Sequence, residues 1–226
     1  MKNQQSKIGD QKSEISDQKS GISVSTNALG KRFNREWIFR NFTYEFHPGH
    51  TYAVVGPNGS GKSTLLQILW GQSVQSAGII RYTSGQKEIP MTDIFSHVSV
   101  ATPYMDLIDE FTLSEHLDFH FQLKKPRQGF SKEIVLEKMY LQSSRNKAVG
   151  NFSSGMRQRL KLGLAFYTQA DIVFLDEPGT NLDKQAFTWY LNELHQLPAT
   201  TLVVIASNNP EEYPSAREVI RMSDFK

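Results

Sequence analysis

G-P-N-G-S-G-K-S-T, residues 56 to 64, matches the phosphate-loop pattern G-x-x-x-x-G-K-[ST] and decides how the rest of the chain is read. Gly56, Gly59 and Gly61 let the backbone fold close around an anion, with N–H groups turned inward and no Cβ in the way. Pro57, Asn58 and Ser60 complete the loop, and Lys62 supplies a point charge for terminal phosphate oxygens. Ser63 carries a hydroxyl suited to Mg²⁺, and Thr64 follows it. The flanks agree: Thr51 to Val55 reads as a short apolar strand, and K-S-T-L-L-Q-I-L-W reads as a helix over 61–70 closed by Gly71. That helix would aim the positive end of its dipole at the bound phosphates.

A second segment, D-I-V-F-L-D-E-P (171 to 178), supplies the partner chemistry. Four apolar residues place Asp176 at the carboxyl end of a buried strand, where open α/β sheets bind ligands. Asp176 is then a candidate Mg²⁺ ligand with Ser63, and Glu177 a candidate base toward an attacking water.

The 226 residues carry 25 basic and 23 acidic side chains, a net charge of +2 that gives no footing for nucleic acid or an anionic membrane surface. The absence of cysteine excludes disulfides and thiolate metal sites and fits a reducing compartment. No apolar run approaches the ~20 residues that span a bilayer, so a soluble, intracellular protein is expected. G-D-Q-K-S-E-I (9 to 15) is followed by the near-repeat S-D-Q-K-S-G-I (16 to 22). One apolar position in seven cannot build a coiled-coil seam, so 1–22 reads as a disordered polar tail.

From Ser23 the pattern is globular. Residues 79–83 and 97–101 read as strands, 154–167 as a helix, 172–175 as a buried strand, 183–197 as a helix, and the β-branched apolar run 202–205 as a buried strand that ends at Ser207-Asn208-Asn209. Residues 112–148 read as mostly helical, opened by a Thr112/Glu115 capping box and interrupted by K-K-P-R-Q-G (124 to 129). This alternation predicts an α/β fold: a mainly parallel sheet flanked by helices, with an inserted α-helical subdomain. The expected division is 23–103 and 149–226 for the nucleotide-binding core, and about 104–148 for the helical insert.

Between the two phosphate elements lies N-F-S-S-G-M-R-Q-R-L-K-L-G-L-A-F, residues 151 to 166. Read alone, it is a capped helix with a basic face of Arg157, Arg159 and Lys161. Read with the phosphate loop, and with Asp176 standing 21 residues after Gly155, it resembles the ATP-binding cassette (ABC) ATPases. The family's Leu-Ser-Gly-Gly-Gln signature corresponds to Phe152-Ser153-Ser154-Gly155-Met156 here, and P-G-T-N-L-D (178 to 183) resembles the family's D-loop, with Asn181, Leu182 and Asp183. The resemblance runs from about 23 to 220 and implies a P-loop NTPase core with a small antiparallel β region, S-A-G-I-I-R-Y (76 to 82) resembling the family's small β-hairpin region.

Several expectations follow from the resemblance. ATP, with Mg²⁺, is sandwiched between two ABC subunits head to tail, a homodimer or a heterodimer. Ser153, Ser154, Gly155 and Met156 of one copy cap the γ-phosphate held by the other. Phe33 is expected to stack on adenine, with Trp37 as the alternative. Hydrolysis powers a separate integral membrane permease, which keeps the protein peripheral on the cytoplasmic face. Tyr104, Met105, Leu107, Ile108 and Phe111 fall in the region that docks the permease. Alternative readings are a non-transport ABC ATPase and an ATP-binding regulatory module with weak hydrolysis.

Two positions depart from the family. Its glutamine before the helical subdomain falls at Thr102 or Pro103, and its histidine after the last core strand falls at Asn208. An amide at 208 donates a hydrogen bond to a γ-phosphate oxygen as a neutral imidazole does, but it carries no titratable proton. Asn208 is therefore placed with Glu177 and Lys62 among the catalytic candidates, and slow hydrolysis is expected. His116 and His120, four apart on a helix, have zinc spacing but no obvious third ligand in the sequence and read as surface or packing histidines. Lys124, Lys125 and Arg127 read as a solvated basic loop.

Overall fold

The computed structural model describes residues 21–226, and the expected tail lies outside the described residues except for its last two. Ile22 already belongs to a strand. The chain runs through β1 (Ile22–Phe33), β2 (Glu36–Phe46), β3 (Thr51–Val55), α1 (Lys62–Leu69), β4 (Ala77–Ser84), β5 (Lys87–Ile89) and β6 (Val98–Ala101). It continues through α2 (Leu113–Leu123), α3 (Lys132–Lys138), α4 (Ser154–Tyr167), β7 (Ile172–Asp176), α5 (Lys184–His195), β8 (Leu202–Ala206) and β9 (Glu218–Arg221).

Two sheets result. β6, β7, β8, β3 and β9 lie in that order, every neighbouring pair parallel. β7 and β8 are buried at every residue, which explains their unbroken Val, Ile, Leu and Phe content. The second sheet, β2-β1-β4-β5, is antiparallel. Its strands alternate instead: Ile22, Val24 and Thr26 of β1 turn inward while Ser23 and Ser25 are half-buried. The β1–β2 hairpin turns at Asn34, whose left-handed backbone (φ 53°) suits a short amide side chain.

One core joins the antiparallel sheet and α1 to one face of the parallel sheet, with Phe39, Phe42, Phe46 and Tyr52 packed against one another. A second core covers the other face with α4, α5 and the helical block through Leu113, Leu117, Val135 and Leu136. The helical content of that block is lower than the sequence pattern suggests. Only α2 and α3 are α-helical between 112 and 148. Pro126 and Gly129 keep them apart, and Tyr140 in the left-handed region (φ 55°) closes α3. The Thr112/Glu115 capping box is present at the start of α2.

Strand order places the site. β8 lies between β7 and β3, so the segments that follow these three strands emerge side by side. The Glu177 N–H donates to Ala206 O at 2.9 Å and the Ser207 N–H to Val54 O at 3.1 Å, extending the pairing just past the strand ends.

Candidate phosphate-binding site

Residues 56–61 bridge β3 and α1, with Ser60 N–H donating to Pro57 O at 3.0 Å. Gly61 is the N-cap of α1 in a left-handed conformation (φ 103°), and a Cβ there would lie 2.6 Å from Ile38 Cγ2. Gly59 is also left-handed (φ 78°) but faces open space. The glycines thus serve two ends: Gly61 allows the loop to press on the antiparallel sheet, while Gly59 leaves its tip open. α1 carries no side-chain cap at its N-terminus, so its first N–H groups stay free for an anion.

Lys62 is buried, and its Nζ donates to Gly56 O at 2.7 Å while standing 3.9 Å from Glu177 Oε1. The ammonium therefore rests on the backbone of its own loop, between that loop and the Glu177 carboxylate. Asp176 is buried at the end of β7, with Oδ1 lacking any hydrogen-bond partner. Burial raises its carboxyl above the ordinary range, opposed by a hydrogen bond from Ser63. A buried carboxylate with one free oxygen beside a serine hydroxyl is a donor set that fits Mg²⁺. Glu177, half-exposed, holds a left-handed backbone (φ 48°), unusual for a non-glycine residue.

Asn208 joins this group from β8. Its Oδ1 accepts from the Gly56 N–H at 3.1 Å, so the amide oxygen faces the phosphate loop and the NH₂ is the end left for a ligand. Beside it Ser207 is fully buried, its Oγ accepting from the Asn209 N–H at 2.9 Å.

The 152–156 segment lies on the N-terminus of α4. Ser153 is the N-cap and accepts from the Met156 N–H at 3.3 Å. Ser154 and Gly155 form the first turn, and a Cβ on Gly155 would meet Asn181 O at 3.0 Å, so α4 abuts the 178–183 loop of the same chain. Gln158 fixes that contact by donating to Pro178 O at 2.8 Å. Asn181 is left-handed (φ 63°), and Asp183 caps α5 by accepting from the Ala186 N–H at 2.8 Å. Leu182 packs at the edge of the second core.

Phe33 stands at the β1–β2 turn, 55% exposed, with Lys31 Nζ 5.1 Å from its ring centroid. Trp37 is half-buried, under Arg32 and against Gly30.

Two readings of charged residues are corrected by their surroundings. The basic face expected on α4 is not solvated as a whole: Lys161 is buried and Arg157 pairs with Asp109 at 2.5 Å. The 124–129 loop is not a free basic loop either. Lys124 Nζ donates to Val98 O at 2.7 Å and to Phe95 O, and Arg127 lies over the Phe130 ring. His120 contacts Thr168 Oγ1 at 2.7 Å, while both ring nitrogens of the buried His116 lack partners. Sequence patterning also gave no prominence to Glu212, a buried carboxylate whose Oε1 fills the space beside Gly179. Its signal was a Gly where a side chain would otherwise stand.

The geometry defines a P-loop nucleotide-binding domain. The family described as ABC transporter matches residues 39–180, and the chain belongs to that family. The uncharacterized ABC transporter ATP-binding protein YcbN of Bacillus subtilis (strain 168) is 28% identical over 160 residues, covering 71% of this chain and 52% of that protein. The probable sulfate/thiosulfate import ATP-binding protein CysA of Chlorella vulgaris is 28% identical over 211 residues, covering 90% and 89%. The chain thus spans about half the length of the Bacillus relative. Among solved structures, a putative ABC transporter (ATP-binding protein) from Pyrococcus furiosus superposes with a TM-score of 0.75 at 18% identity, covering 90% of this chain and 99% of that one, a likeness of fold.

Proposed function

We propose that the chain binds and hydrolyses ATP as one half of a head-to-tail dimer and powers a separate membrane permease. The observation that carries this reading is the convergence of Lys62, Asp176, Glu177 and Asn208 at the ends of three adjacent strands. Loop N–H groups and the α1 N-terminus hold the phosphates, and Lys62 exchanges its Gly56 carbonyl for a β- or γ-phosphate oxygen. Ser63 and Asp176 would hold Mg²⁺, which supplies charge neutralisation at the phosphate oxygens. Glu177 accepts a proton from water as the water oxygen bonds to the γ-phosphorus and the bond to the departing ADP oxygen breaks. Asn208 steadies Gly56 and presents its NH₂ to the γ-phosphate. The α4 N-terminus, with Ser153 to Met156, caps the γ-phosphate of a second subunit, either another copy or a related chain.

The partner reading has its own support. A groove of about 800 Å³ lies where the parallel-sheet core meets α2, lined by Trp70, Met91, Phe95, Tyr104, Met105 and Leu123. Tyr104 and Phe95 are largely exposed, whereas Leu107 is core. An apolar groove of this kind fits an apolar segment of a permease. Among the described residues no helix is long and apolar enough to cross a membrane. The two departures from the family, at Thr102 or Pro103 and at Asn208, favour, as a second reading, a regulatory ATP binder with weak hydrolysis.

The deciding experiment is Glu177→Gln with Mg-ATP. We expect a dimer trapped on size exclusion and phosphate release at least about a hundredfold below the parent, roughly 3 kcal/mol of barrier. A variant that hydrolyses ATP at the parent rate removes Glu177 as the base.

A further inference from the structure

Lys161 is the least expected charge in the molecule. It is 9% exposed, and among the described residues its Nζ pairs with no carboxylate. Instead it donates to Pro103 O at 2.7 Å and to Thr102 O at 3.2 Å. Burial opposes its charge and Arg157 adds to that, while Asp106 favours it. A buried ammonium is costly unless hydrogen bonds replace the water it has lost, and here two backbone carbonyls do so.

What it holds is the chain between β6 and α2. Thr102 O also accepts from the Met105 N–H at 3.2 Å, so Lys161 sits on the carbonyl side of a closed turn, 102–105. Thr102, Tyr104 and Met105 line the groove. One helical turn before Lys161, Arg157 bonds Asp109 at 2.5 Å and Val149 O at 3.0 Å. The segment is therefore tied to α4 near both ends by cations from one helix face. The same helix reaches the other way through Gln158 to Pro178, next to Glu177. α4 thus touches the loop of the candidate base on one side and the groove-lining turn on the other. The position of the family's glutamine falls at Thr102 or Pro103, the two residues whose carbonyls Lys161 engages; proline has no N–H, and its carbonyl is the closer of the two.

We infer that Lys161 is a positioning residue: its ammonium clasps the carbonyls of Thr102 and Pro103 so that the groove-lining turn moves with α4. The clasp itself is a property of the fold, and its effect on turnover rests on the proposed ATPase reading. In this chain the tie between groove and nucleotide site runs through a lysine on α4.

The test uses the full chain with Lys161→Met, which keeps the aliphatic stem and removes the donors, and Lys161→Arg, which keeps donors. In Lys161→Met, hydrogen exchange at the amides of 104–106 should quicken at least tenfold, while amides 59–64 and the Kd for Mg-ATP stay within twofold of the parent. Turnover at saturating ATP should fall about tenfold with KM unchanged. Lys161→Arg should exchange within threefold of the parent; if Lys161→Met fails to fold, recovery of the fold by Lys161→Arg supports the clasp. Unchanged exchange at 104–106 in Lys161→Met, or equal loosening or misfolding in Lys161→Arg, overturns it. If the parent itself releases no phosphate, the ATPase reading falls, and the exchange data alone judge the clasp.

Discussion

Asn208 offers the sharpest test of how the site is assembled. Asn208→Ala removes one neutral hydrogen bond, from the Gly56 N–H to Oδ1 at 3.1 Å, at an exposed position. Such a bond is worth about 0.5–1.5 kcal/mol net. The phosphate loop loses that tie to β8, and Mg-ATP binding should weaken by about two- to tenfold. Asn208→His acts differently. One ring nitrogen accepts from the Gly56 N–H as the amide oxygen does, and the other donates toward the γ-phosphate from a rigid ring. If geometry at that oxygen limits turnover, the gain is the size of one polar contact, about 1–3 kcal/mol, or roughly ten- to a hundredfold in rate. The assay is steady-state phosphate release with Mg-ATP for parent, Ala and His proteins, with Kd measured separately. Turnover of Asn208→His at or below the parent rate refutes the account of this position. Unaltered Mg-ATP affinity in Asn208→Ala refutes the role of the Gly56 tie.

Acid should loosen α2. Burial holds His120 down to about 4, with His116 and Lys124 adding to the effect. The folded state favours the neutral ring, so the stability is intact above about pH 6.5 and is lost as pH falls toward 4. From that shift, His120 costs about 2 kcal/mol at pH 5 relative to pH 8, and urea midpoints of His120→Gln should show a flatter pH slope than the parent. Equal slopes would dismiss the ring as the cause. Gly61→Ala should destabilise the chain by about 1–3 kcal/mol, since it adds a Cβ contact at 2.6 Å to a left-handed backbone. Gly59→Ala meets no atom within 4 Å and should cost less in the same denaturation assay. Phe33→Ala should weaken ATP binding by about 1–3 kcal/mol of lost base stacking and leave inorganic triphosphate unaffected. Equal losses for the two ligands would detach Phe33 from adenine.

Much of this architecture was legible in the chain because it rests on local rules. Buried parallel strands need unbroken apolar runs, and I-V-F-L-D and L-V-V-I-A are β7 and β8. Helix bounds were readable where caps exist: Ser153, Asp183 and Thr112 each cap the helix that follows. β1 and β2 were harder. Their partners are each other and β4, and bulges shift the register between Thr26 and Lys31, so alternation breaks before it accumulates. Charge was the least legible property. Lys124 read as solvated and Lys161 as one member of a basic face because their partners are backbone carbonyls contributed by Phe95, Val98, Thr102 and Pro103, which leave no trace in side-chain pattern. Glu212 was silent for a similar reason: its match is the missing side chain at Gly179.

The left-handed backbone at Glu177 governs which substitutions can report on chemistry there. Gln keeps the length, volume and conformational tolerance of Glu, so its effect reads as the loss of a carboxylate. Val, Ile or Thr would be forced out of the φ 48° well and would rebuild the turn that Glu177 opens, closed by the Thr180 N–H on Glu177 O. Gly would relax the same turn without any chemistry being tested. A saturation scan at 177 therefore sorts along two axes, backbone fit and proton affinity. Only residues matched on the first can be ranked on the second.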